Sequence, residues 1–473
     1  MKTGISHARG VIRNVACNVF VDLNLNKTGD RIMAEKSIRK KIRIIGLILA
    51  AAICFWSCGK EGQTGGYEQT LSGAVQNEDD VKKAEESVSV NEEASFLEEN
   101  VNSSEDESGS LEQEAKAAIR PKVRGIFVTG PMAGTSNMEN LIKLVDETEL
   151  NAIVMDVKND EGRVTYDMQI PTVKEVGAGI RYVQDMEALI EECKEKNIYL
   201  IARIVAFKDP FLGKVKPEWC VHNRDGSVFQ DRNGFEWLNP YEPQVWEYLL
   251  DVAEEALRMG FDEVQFDYIR FSTDSGMENV DFGQLGEEKS REEIIGDFIK
   301  YASEKVHEAG GVISADVYGM VIDSRIDQEI VGQNYVEMSR YLDYISPMVY
   351  PSHYGPYNYD IPVPDAEPYK LVLTALQASK KALAGVFEET VSGNEGVEYS
   401  TEEIAALVPM EGIQAQVRPW LQDFTATWVK GHINYGPEEI RAQIQAVYDA
   451  GYEEWILWNA SNRYTEDGLL RED

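Results

Sequence analysis

The sequence predicts an α/β fold: a (β/α)8 barrel of the TIM type with long βα loops, preceded by a signal peptide and a disordered acidic tether. Three observations predict the barrel. From residue 123 onward, short β-branched runs alternate with amphipathic stretches, the pattern of βα units around a parallel sheet. The count comes to eight. Three of the runs also carry polar groups on the face opposite their apolar one, toward their C-terminal ends, where such barrels place an active site. In FDEVQFDYIRF (261–271), Gln265 and Asp267 share a face opposite Val264, Phe266 and Tyr268. NAIVMDVKND (151–160) sets Asp156 and Lys158 against Ile153, Met155 and Val157, and GVISADVYGM (311–320) sets Ser314, Asp316 and Tyr318 against Ile313, Ala315 and Val317. A carboxylate is expensive to desolvate, so acids aimed inward from strand ends point to chemistry or binding rather than packing.

The strands are expected at 123–129, 152–158, 199–206, 263–271, 312–319, 343–350, 413–421 and 454–459. Helices are expected near 138–148, 183–196, 243–259, 290–309, 333–341, 367–385 and 437–450, and Gly260, Gly310 and Gly451 follow three of them as stop signals. The domain, 121–473, is longer than the ~250 residues of a bare barrel. Its surplus falls into loops after strands, at 207–242, 272–289, 351–366 and 386–411. Their aromatics, Trp219, Phe235, Trp237, Tyr241, Tyr354, Tyr357 and Tyr359, either cover the barrel top or stack on sugar rings, whose apolar CH faces suit aromatic planes.

The N-terminal part reads differently. Residues 1–59 hold 10 Lys+Arg against 3 Asp+Glu, whereas residues 60–120 hold 5 against 16. Within the basic part, KSIRKKIRIIGLILAAAICFWSC (36–58) has a charged start, an apolar run from Ile42 to Phe55, and Ser57 before Cys58. That is the layout of a secretory signal, and the apolar run is shorter than the ~20 residues a spanning helix needs. It resembles a lipoprotein signal over 33–58, with Cys58 as the lipid-bearing first mature residue. Met33 is a natural start for it, so residues 1–32 are expected to be a spurious extension. Residues 59–120, rich in Glu, Ser, Asn and Gly, cannot bury enough apolar surface to fold alone and are expected to be an extended tether. The expected address is the extracellular face of the envelope, held to the membrane through the lipid.

Composition narrows the chemistry. A net charge of −36 argues against nucleic acid, phosphorylated substrates and anionic membrane surfaces, and favours neutral or cationic ligands. Of the five cysteines only Cys193 and Cys220 fall in the folded part, which excludes a disulfide scaffold. The five histidines (His7, His222, His307, His353 and His432) show no HxH or HExxH spacing, so no metal and no cofactor is expected. No Gly-rich phosphate cradle follows the seventh or eighth strand. What remains at or just past the strand ends is a polar rim of Asp156, Lys158, Arg203, Asp267, Arg270, Asp316, Tyr318, Tyr350, Arg418, Asp423, Trp458 and Asn459. Carboxylates, guanidinium groups and aromatics together suit glycosidic bond hydrolysis by two carboxylates. A sugar-binding lipoprotein of the same fold without catalysis is the alternative.

The segments VRGIFVTG, NAIVMDVKND, FDEVQFDYIRF, SADVYGM, DYISPMVYPSHY, RPWLQDF and ILWNASNRY resemble, in that order, a bacterial family of glycoside hydrolase domains once classed only as a domain of unknown function. The resemblance runs from about 121 to 465 and implies a TIM-barrel sugar hydrolase of the cell envelope. The chitinase family is a more distant likeness. Its FDGxDxDxE-type fourth strand would put Gln265 at its middle aspartate and Ile269 at its essential acid, so that mechanism is not expected. The α-amylase and α-galactosidase arrangement, with a nucleophilic Asp ending the fourth strand, is closer. By that likeness Asp267 is the nucleophile and Asp316 the acid/base, with Asp423 in reserve. Arg270 and Arg203 would keep Asp267 ionised, and Tyr318 or Tyr350 would hold the acid.

Overall fold

The computed structural model describes residues 120–386 and 399–471. The signal, Cys58, the tether and residues 1–32 lie outside them. Eight parallel strands close on themselves: β1 (Arg124–Val128), β2 (Ala152–Lys158), β3 (Tyr199–Val205), β4 (Glu263–Asp267), β5 (Val312–Tyr318), β6 (Tyr344–Met348), β7 in two pieces (Gln416–Val417 and Trp420–Gln422) and β8 (Trp455–Trp458). Each pairs with its neighbour in the sequence, and β8 returns to β1 through Arg124↔Trp455 and Gly125↔Ile456. The fold is the (β/α)8 barrel.

Why these residues make these elements is legible locally. The strands are β-branched runs buried almost end to end, as a sheet covered on both faces requires. Between them run α1 (Asn137–Asp146), α2 (Met186–Glu195), α3 (Pro243–Met259), α4 (Arg291–Glu308), α5 (Arg325–Val331), α6 (Pro368–Leu383) and α7 (Pro437–Asp449). Three open on proline, whose missing N–H costs nothing in the first turn. α4 opens on a capping box, with Ser290 accepting from the Glu293 N–H and Glu293 accepting from the Ser290 N–H. Gly451 ends α7 at φ +79°, and a Cβ there would stand 2.7 Å from the Ala405 carbonyl oxygen, so no other residue fits.

Two expected elements differ. The helix expected at 333–341 is a single turn, Tyr335–Met338, and the longer helix of that connection is α5, which buries Asp327 and Val331 and leaves Ile326 and Ile330 exposed. β4 stops at Asp267 rather than running to 271, because Tyr268 adopts φ +53° and turns the chain. A left-handed non-glycine residue costs on the order of 1–3 kcal/mol and is retained only where the surroundings over-determine it. Cys193 and Cys220 are both buried and free.

Side chains fill the barrel. Its floor holds a buried ion network in which Arg418, against the Tyr344 ring at 4.2 Å, pairs with Glu263 and stands 3.8 Å from Glu454. Above it, toward the strand C-termini, Phe127, Tyr350, Trp420 and Trp458 pack together with Val154 and Ile201.

Candidate active site

The C-terminal mouth is organised around one guanidinium. Arg203 projects from β3, 1% exposed, and reaches three carboxylates. Its Nη1 donates to Asp156 Oδ1 at 2.6 Å, its Nη2 and Nε donate to Asp267 Oδ2 at 2.6 and 3.1 Å, and both Nη atoms stand 3.3 Å from Asp160 Oδ2. Asp156 and Arg203 are register partners on β2 and β3, so the pair is set by the sheet itself. Asp267 is further fixed through Oδ1, which accepts the Tyr268 N–H at 2.6 Å. The left-handed turn at Tyr268 therefore aims that N–H back at the carboxylate.

Asp316 stands on the next strand. Phe266 pairs with Ala315, so the same register continued by one residue sets Asp267 beside Asp316. Asp316 is 1% exposed, and its Oδ1 accepts the Trp420 indole N–H at 2.6 Å from β7, two strands away. Burial lifts its carboxyl well above the ordinary carboxylate range, the Asp267 charge lifts it further, and the Trp420 hydrogen bond and Arg203 only partly oppose this. Asp156 is raised as well, to about 7, by burial above all, with Arg203 opposing and the charges of Asp160 and Asp267 adding. Asp160 goes the other way. Burial alone would raise it, but Lys208, 3.3 Å away, and Arg203 hold it below the usual range. Burial lifts the Tyr350 phenol well above its ordinary value, as do the charges of Asp316 and Asp267, so it stands neutral beside both acids.

The structure thus brings together Asp156, Arg203, Asp267, Asp316, Tyr350 and Trp458, whose ring stacks on Phe127 at 4.1 Å and lies 5.6 Å from the Arg203 guanidinium carbon. It places the other expected site residues elsewhere. Lys158 does not share the face of Asp156: a bulge between them shifts the register so that Lys158 pairs with Ile204. Its ammonium is wholly buried, donating to the Val205 carbonyl at 2.6 Å and paired with Asp209 at 2.7 Å. Arg418 sits in the barrel floor, because β7 runs on past it to Gln422 and makes it a mid-strand residue rather than a rim one. Arg270 makes no ion pair with Asp267. It is stacked among Trp237, Tyr268 and Tyr318 at 5.0, 4.9 and 4.5 Å and donates to the Phe271 carbonyl. Tyr318 therefore packs on Arg270.

Asp423 and Asn459 are fasteners of the rim. Asp423 accepts from the Thr465 N–H at 2.8 Å and its hydroxyl at 2.6 Å, while Asn459 donates to the Asp423 and Arg463 carbonyls. Of the loop aromatics, Trp237, Tyr241 and Tyr354 are buried and cover the barrel top, whereas Tyr357 is 72% exposed. Residues the strand alternation did not single out also line the mouth: Asp160, Lys208, Phe127 and Trp420. Asp160 and Lys208 each stand two or three residues beyond a strand end, where alternation no longer tells which way a side chain points.

A family model described as "Putative glycosyl hydrolase domain" matches residues 125–464, from β1 through the loop that follows β8. The chain belongs to this family. Among solved structures, a hypothetical protein from Ruminiclostridium thermocellum is 38% identical, over 41% of this chain and 97% of that one, with a TM-score of 0.38. The PgaB (BpsB) glycoside hydrolase domain from Bordetella bronchiseptica is similar at 12% identity, over 72% of this chain and 94% of that one, with a TM-score of 0.49. TtGalA, an α-galactosidase from Thermus thermophilus, is similar at 14% identity, over 74% of this chain and 61% of that one, with a TM-score of 0.39. No curated protein matches the chain.

Proposed function

We propose that the protein hydrolyses glycosidic bonds of an envelope or extracellular polysaccharide with Asp267 as nucleophile and Asp316 as general acid/base. One observation carries the reading: two carboxyls on adjacent strands stand in opposite electrostatic settings. Asp267 is ion-paired to Arg203, and Asp316 is buried against an indole N–H with its carboxyl well above the usual range. A carboxylate held by a guanidinium beside a buried carboxyl suits a nucleophile and an acid working on one bond.

In the first step Asp267 attacks the anomeric carbon while Asp316 gives its proton to the departing glycosidic oxygen, leaving a glycosyl ester on Asp267. In the second, the Asp316 carboxylate takes a proton from water, the resulting hydroxide attacks the anomeric carbon, and Asp267 leaves as the carboxylate. Arg203 bonds one oxygen of Asp267, so the ester forms through Oδ1, which only the Tyr268 N–H holds. We assign the protein to the outer face of the membrane through a lipid on Cys58, which would put the barrel among such polymers.

The test is reducing-end release by the purified protein from a panel of polysaccharides. Cleavage of at least one supports the reading. A protein that binds a polysaccharide on the panel and cleaves none would be the non-catalytic sugar-binding lipoprotein.

A further inference from the structure

The polar cluster is only half of the barrel mouth. From it a continuous row of aromatic rings leads outward across the ends of β8, β7 and β6. Trp458, stacked on Phe127, meets Trp420 edge-on at 5.7 Å. Tyr350 packs in the same cluster and meets Phe424 at 6.2 Å, and Phe424 in turn stacks on Trp428 at 5.9 Å with the rings 19° from parallel. The inner rings are tied to the charged cluster: Trp420 donates to Asp316, and Trp458 lies beside the Arg203 guanidinium. The outer pair, Phe424 and Trp428, follows β7 and keeps part of its surface open to solvent. Large rings left part-exposed beside a polar site, rather than folded under the loops as Trp237 and Tyr354 are, leave apolar area that a ligand would cover. His353 closes the row, 5.2 Å from Tyr350 and 6.4 Å from Phe424. Its Nδ1 is engaged by the Ser352 hydroxyl at 3.0 Å.

We infer that this row is a track for a polysaccharide strand, with Phe424 and Trp428 stacking a sugar several residues from the bond that is cut, and that the strand is uncharged or an amino-sugar polymer rather than a uronate or sulfated one. The inference rests on the proposed hydrolase reading for its direction, since the row starts at Asp316. Stacked rings recognise the CH faces of pyranoses, and they do so without reading charge. The charge preference comes from the domain as a whole: residues 121–473 hold 31 Lys+Arg against 63 Asp+Glu, a field that repels a polyanion.

Affinity electrophoresis of the full chain in gels containing β-glucan, chitosan or alginate tests it. The wild type should be retarded by β-glucan or chitosan and not by alginate. Trp428→Ala should weaken that binding about tenfold, and Trp428→Phe should restore most of it. Thermal denaturation of both variants checks that the fold is kept, and, on any polymer that is cleaved, the rise in KM for Trp428→Ala should grow with chain length. Retardation by alginate alone, or Trp428→Ala binding as tightly as the wild type, overturns the track. If nothing on the panel is cleaved but Trp428→Ala still loses binding, the track stands and the hydrolase reading falls.

Discussion

Asp156 gives the sharpest test of the electrostatics at the barrel mouth. Its carboxyl is nearly buried, shares Arg203 with Asp160 and Asp267, and is raised to about 7. Against the ~3.9 of an unfolded aspartate, three units correspond to about 4 kcal/mol between the two protonation states. A group raised in the folded state helps most when it is protonated in both states. Its contribution is therefore fully present below about pH 4 and lost as pH climbs toward about 7. Between pH 5 and 8 the wild type should lose about 3 kcal/mol at this site. Asp156→Asn keeps an oxygen for the Arg203 Nη1 and removes the titration. Urea unfolding of the full chain at pH 5, 6.5 and 8 reads the difference directly. Relative to the wild type, the variant should gain stability steadily across that range. If the Arg203 pair instead held Asp156 ionised throughout, the variant would be less stable than the wild type at every pH, and the account of the site would be wrong.

The other expectations divide by role. Asp316→Asn should slow substrates with poor leaving groups by orders of magnitude while sparing activated aryl glycosides, which need little protonation; uniform slowing of both would remove Asp316 from the acid role. Arg418→Met leaves Glu263 charged and unpaired in the barrel floor and should destabilise the fold by about 3–5 kcal/mol in chemical denaturation, a loss that a site role at the rim would not produce. Asp423→Ala strands the Thr465 N–H and hydroxyl and should cost about 1–3 kcal/mol of stability; an unchanged unfolding midpoint would show that the rim does not depend on it.

The barrel and most of its centre were legible in the sequence because both rest on alternation along strands. Asp156, Arg203, Asp267 and Asp316 point inward, since a residue's face follows from its parity as long as the register is regular. Where the register breaks, the same rule misplaces side chains. The bulge after Asp156 sends Lys158 to the opposite face. Arg418 keeps its register and faces inward, but parity does not give depth along the strand, and β7 runs on past it to Gln422. Arg270 was paired with Asp267 on proximity in sequence, but the left-handed turn at Tyr268 swings it away into a stack of rings. The contact between Trp420 and Asp316 reaches past β6 from β7 to β5, and no local pattern carries a contact between such distant parts of the sequence.

The central claim is that Asp267 attacks the anomeric carbon. Once the cleaved sugar is known, incubation with the matching 2-fluoro glycosyl fluoride should slow ester hydrolysis enough to leave the glycosyl group on the protein, and peptide mapping by mass spectrometry locates it. One label on Asp267, absent from Asp267→Asn, is the predicted result; a label on another carboxylate, or Asp267→Asn turning over at the wild-type rate, would contradict it.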